Sequence, residues 1–122
     1  MGGLDEVEEI LEGEGIDYRR VKNAVITSFR EGELSYTLIV LSNDDMTVIV
    51  GKTDPPFIPT EEMAYKLLEE SFRTNFASYH LSEDNEVVVT SFLKTRCIKQ
   101  SFMRNFYAVL SSLRKLGEHY AS

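Results

Sequence analysis

The chain has one cysteine, Cys97, in 122 residues, which excludes an internal disulfide and fits a reducing compartment better than an oxidising one. Nowhere does it approach the roughly 20 consecutive apolar residues that cross a bilayer. Residues 1–15, MGGLDEVEEILEGEG, carry acids where a signal peptide needs bases, so a cytoplasmic protein is expected. Cations are in deficit, with thirteen Lys and Arg against twenty Asp and Glu and a formal charge of -7. The mean field of such a chain repels phosphate backbones and anionic lipid, so nucleic acid and membrane are not expected partners. The cluster Tyr18, Arg19, Arg20 and Lys22, and the pair Arg114 and Lys115, are read as partners for the chain's own acids or for an acidic protein.

Catalytic and metal motifs are absent as well. His80 and His119 stand in no HxxxH or HExxH spacing, no CxxC accompanies Cys97, and no GxSxG marks a nucleophile. The glycines of EGEG at 12–15 alternate with acids that would repel a phosphate. Asp44, Asp45, Glu83 and Asp84 lie in polar breaks between apolar runs, where such side chains satisfy turn backbone. No enzymatic activity, metal or cofactor is expected. The alternative left open is a small redox or hydrolytic enzyme using Cys97, whose thiolate Arg96 would favour, or His80, in a pocket between sheet and helices.

What is present is the composition of an ordinary globular domain, 43% apolar and 27% charged, and residues 1–122 are expected to form one domain. Leu4, Val7, Ile10 and Leu11 have helical spacing, and Gly13 and Gly15 end that helix. Three β-rich runs follow, over 21–29, 34–41 and 46–52, separated by REGE and SNDD, and these short polar breaks predict an antiparallel meander. Pro55, Pro56 and Pro59 stop the sheet, and Thr60 caps a helix whose stripe is Met63, Leu67, Leu68 and Phe72. Two more strands, 75–81 and 86–93, flank the turn SEDN. A last helix over 99–116 has a broad apolar face made of Phe102, Phe106, Val109, Leu113 and Leu116 beside Met103, Tyr107 and Leu110.

The expected architecture is therefore α+β, in the order α-β-β-β-α-β-β-α, with helices against one face of an antiparallel sheet. The stretch LLEESFRTNFASYHLSEDNEVVVTSFL, residues 67–93, followed by an apolar helix, resembles the second half of YbjN-type proteins. Those share a fold with type III secretion chaperones. The resemblance rests on Leu67, Leu68, Asn75, Leu81, Asp84, Val87, Val88 and Val89. It implies a chaperone-like or regulatory binding protein, often a dimer, without a catalytic motif.

The second strand is apolar on both alternating sets, Tyr36, Leu38 and Val40 on one and Ile39 and Leu41 on the other. Such a strand is covered twice, or covered by a helix on one side and a partner on the other. The expected partner is another protein or a second copy in a homodimer. Tyr36, Leu38 and Val40 on the sheet and Phe102, Phe106, Tyr107 and Leu110 on the last helix are the candidate binding residues.

Overall fold

The computed structural model describes residues 3–121, and of 119–121 the backbone alone, so the His119 side chain lies outside the described residues. Helix α1 spans Gly3–Gly13 and is followed by strands β1 (Arg19–Val21), β2 (Ala24–Glu31), β3 (Leu34–Ser42) and β4 (Met46–Asp54). Helix α2 (Glu61–Arg73), strands β5 (Ser78–Leu81) and β6 (Val87–Lys94), a 3-10 turn over Thr95–Cys97 and helix α3 (Ile98–Ala121) complete the chain. The six strands form one sheet in the order β1-β2-β3-β4-β6-β5, and every neighbouring pair is antiparallel. The α+β class and the order of helices and strand groups expected from the sequence are observed, with one strand more before α2.

Local chemistry accounts for the boundaries. At the end of α1, Gly15 takes a φ of 71°, and the amides of Gly15 and Ile16 donate to the carbonyls of Glu12 and Leu11. This is the left-handed closure that glycine permits. Thr60 Oγ1 accepts from the Met63 amide at 3.2 Å and opens α2. In the β3–β4 turn Asn43 Oδ1 accepts the amides of both Asp45 and Met46 at 2.8 Å. The single run expected over 21–29 is broken instead at Lys22-Asn23. Lys22 adopts a φ of 52°, and Arg19–Val21 folds back to pair with β2 as an extra short strand.

Helices α1 and α3 lie on one face of the sheet. That face carries Val25, Leu38, Val40, Ile49, Val89 and Leu93, all buried. Where α3 crosses β4 the strand has Gly51, and a Cβ there would stand 2.6 Å from Val109 Cγ1 and 2.8 Å from Leu113 Cδ1. Gly117 plays the same part on the helix side, since a Cβ there would run into the Tyr36 hydroxyl. The last helix continues past the expected end at Leu116 because this glycine sits at a close helix–sheet approach and does not act as a stop signal.

Tyr79 ties β5 to α3, its buried hydroxyl donating to the Ser112 carbonyl at 3.1 Å. Burial pushes the Tyr79 phenol above its ordinary pKa of 10.0. A raised folded-state pKa means that the contribution is complete below about pH 10, the unfolded value, and is lost as pH rises through the folded value. Tyr79→Phe is therefore expected to lose about 1 kcal/mol at neutral pH. It should also soften the alkaline fall in stability without abolishing it, because burial raises the Tyr36 phenol too. Urea unfolding across a pH series from 7 to above 10 checks both.

Candidate functional site

Alternation along the strands assigns each side chain to a face. The registers carry one line across the sheet from Arg19 through Ile26, Ile39, Val50 and Thr90 to Ser78. A neighbouring line runs from Val21 through Ala24, Leu41 and Val48 to Phe92. Both lie on the face opposite α1 and α3. Phe92 is 61% exposed and Leu41 42% exposed, and Val21 and Met46 are exposed beside them. Scattered exposed apolar residues need no explanation, but contiguous lines across a sheet mark an interaction surface.

The candidate residues separate sharply. Tyr36, Leu38, Val40, Phe102, Phe106 and Leu110 are buried in the chain's own core and present no surface, which corrects the expectation that they meet a partner. On β3 the reason is parity: both alternating sets are apolar, and α3 covers the set with Tyr36, Leu38 and Val40, leaving Ile39 and Leu41 outward. On α3 the reason is that α1 packs alongside as well as the sheet beneath, so a wide apolar face is consumed internally. Tyr107 alone remains open, 49% exposed against the edge of the Phe106 ring. The expected α2 stripe also splits. Leu67 is buried, whereas Tyr65, Leu68 and Phe72 point outward, with Phe72 92% exposed.

Sequence reading missed Val48, Phe92 and the α2 side chains Tyr65 and Phe72 as surface residues. The signal for the first two was the doubly apolar character of β4 and β6, the same signal as in β3.

The free edge at β5 is partly closed, because the Tyr79 amide donates to Ser71 Oγ of α2 at 2.9 Å. A side chain that occupies an outward amide in this way removes a template for strand addition.

No family model matches the sequence, and no match is found among curated proteins. Among solved structures, YbjN of E. coli, described as a proposed transcription regulator, matches with a TM-score of 0.71 at 12% identity. The match covers 96% of this chain and 93% of that one. This chain has a YbjN-like fold. At that identity the likeness is one of architecture.

Within the YbjN-like fold, Cys97 and His80 lie apart from the two clefts that border α3. An open cleft of about 690 Å³ between the β2–β3 hairpin and the end of α3 is lined by Glu31, Leu34, Tyr36, Pro55 and Arg114 among others. A second, of about 360 Å³, lies between α2 and α3 and is lined by Met63, Leu67, Glu70, Tyr79 and Lys115 among others. Neither includes Cys97, which is half-buried in the 3-10 turn, nor His80, which is exposed on β5. Among the described residues no group of three or more His, Cys, Asp or Glu is placed to hold a metal ion. No helix among them is long and apolar enough to cross a membrane.

The basic clusters are partly spent on the chain's own acids. Arg20 lies 3.5 Å from Asp5 and 3.3 Å from Glu8 on α1, Arg114 pairs with Glu31 at 2.9 Å, and Lys115 approaches Glu70 at 3.5 Å. Tyr18 donates its hydroxyl to Glu12, whose carboxylate holds the phenol up at about 12.

Proposed function

We propose that this chain is a non-enzymatic protein-binding module, chaperone-like or regulatory, whose binding surface is the sheet face opposite α1 and α3. The observation that carries the reading is the apolar line Val21, Ala24, Leu41, Val48 and Phe92 across that face, ending in the exposed ring of Phe92 and widened by Ile26, Ile39 and Val50 beside it. Buried apolar anchors supply most of the affinity at such surfaces, and Phe92, Leu41 and Ile39 are the anchors assigned here. YbjN, described as a proposed transcription regulator, supports a regulatory role through shared architecture.

Self-association is assigned to a different surface. Tyr65, Leu68 and Phe72 recur at helical spacing on the outer side of α2, and an exposed helical stripe suits pairing with its own copy about a two-fold axis. The chain is therefore proposed to be a homodimer that keeps its sheet face free.

One experiment separates the two surfaces. The double variant Leu41→Ser, Phe92→Ser changes only exposed side chains, so its stability should stay within about 0.5 kcal/mol of wild type. It should retain the dimer mass in light scattering across a concentration series, yet lose capture of apolar segments on a cellulose array of short unstructured peptides. Undiminished capture by the variant, or no capture by wild type, would remove the sheet face from the proposal. A wild-type monomer at all concentrations would remove the dimer.

A further inference from the structure

The outward face differs from the rest of the molecule in charge, and this specifies its partner more closely. The strand registers place Arg19, Arg30, Lys52 and Lys94 on it, with Asp54 as the one carboxylate among its described strand residues. Four of the chain's thirteen cations thus share a face with one of its twenty acids. Most of the acids lie on the helices, five on α1 and four on α2, and at the hairpin tips, at Glu31 and Glu33, Asp44 and Asp45, and Glu83 and Asp84. Arg20 makes the contrast plain. It alternates to the opposite side of β1 from Arg19 and is neutralised by Asp5 and Glu8, whereas Arg19, Lys52 and Lys94 have no ion pair among the described residues.

The arrangement is a floor with walls. Val21, Ala24, Leu41, Val48 and Phe92 on one line and Ile26, Ile39 and Val50 on the next form the floor, and the longer line crosses five strands about 4.8 Å apart, about 19 Å. Lys52 lies one line beyond the floor on one side, between Thr37 and Val88. Lys94 lies one line beyond it on the other, opposite Met46. Arg19 closes one end.

We infer that this face takes an acidic polypeptide segment of another protein, its apolar side chains on the floor and its carboxylates toward Lys52, Lys94 and Arg19. The inference rests on the proposed binding function and adds the chemistry of the partner. Complementary charge at the rim sets selectivity and association rate while the apolar floor sets affinity. A second copy fits this face poorly. Face-to-face stacking would oppose like charges, and seating the acidic α1 of one copy on the sheet of the next is a head-to-tail contact that grows without closing. Nucleic acid meets the same cations but must approach a molecule of formal charge -7 and cover a floor that is aliphatic apart from the single ring of Phe92.

The test uses fluorescein-labelled synthetic peptides of equal length: one of Leu and Glu, one with Lys replacing each Glu, and one with Ser replacing each Leu. Wild-type protein is expected to bind the Leu/Glu peptide at least tenfold more tightly than either other. The variant Lys52→Glu, Lys94→Glu should weaken it about tenfold and strengthen the Leu/Lys peptide, with an unchanged thermal midpoint. If the Leu/Lys peptide binds wild type equally well, or if the charge reversal leaves the preference intact, the acidic partner is wrong while the binding surface stands. If no peptide binds, both readings fall. Tighter binding of a single-stranded oligonucleotide, lost on charge reversal, would reassign the face to nucleic acid. Wild-type self-association abolished by the same reversal would reassign it to a second copy, and either result overturns the inference.

Discussion

Phe106→Ala is expected to lower the free energy of unfolding by about 3–5 kcal/mol, the cost of truncating a fully buried phenylalanine. Phe106 has no exposed surface, and its ring centroid lies 5.7 Å from that of Phe102 and 6.2 Å from Phe29 on β2. Edge and tilted ring contacts of this kind add about 0.5–1.5 kcal/mol to simple burial, and the small side chain would leave a cavity between α3 and the sheet. Against a total stability of about 5–15 kcal/mol for a domain, one substitution would remove a large share. Its neighbour is the control: Tyr107→Ala, at a half-exposed position, should cost much less. Urea unfolding of both variants checks the contrast. Comparable losses at the two positions would mean that α3 presents a different face to the sheet.

Gly51→Val is expected to destabilise by about 3 kcal/mol or more, at the upper end of overpacking costs in a well-filled core. The reason is steric. The new Cβ would stand 2.6 Å from Val109 Cγ1 and 2.8 Å from Leu113 Cδ1, and valine adds two methyl groups beyond it. Because α3 also packs on β3, β6 and α1, it cannot withdraw from Gly51 without loosening those contacts. The milder Gly51→Ala combined with Val109→Ala should be less destabilised than the sum of the two single variants, because the second change makes room for the first. Strict additivity in a double-mutant cycle would contradict the contact. Gly51 is thus the position at which strand β4 gives up its side chain so that α3 can approach.

How legible was the surface that these packing contacts leave open? The elements themselves were: Thr60 before α2, the polar breaks REGE, SNDD and SEDN, and the prolines after β4 are local signals with local causes. The extra strand β1 was not foreseen, because nothing in Val21 to Phe29 distinguishes a continuous run from one folded at Lys22-Asn23. The candidate binding residues fall on the core parity of β3 and, Tyr107 apart, on the inside of α3. Tyr36, Leu38 and Val40 form the more continuous apolar set, which is the property of a core face, and the structure uses them as one.

Charge followed the same pattern. Composition showed an acidic chain, and from composition alone a basic surface had no place in it. Only the strand registers reveal that Arg19, Lys52 and Lys94 share a face from which the acids are nearly absent. Net charge is a sum, and a sum carries no information about segregation.

What the sequence determined by itself is therefore the set of elements other than β1, their order and the turns between them, since capping, glycine and proline chemistry and hydrophobic period act over a few residues. Tertiary structure decided which apolar face of the sheet is covered, how much of α3 is consumed internally, and where the cations gather. Each depends on one element meeting another. A strand with two apolar faces is satisfied in either orientation until α3, admitted by Gly51 and Gly117, commits one of them to the core and leaves the other outward.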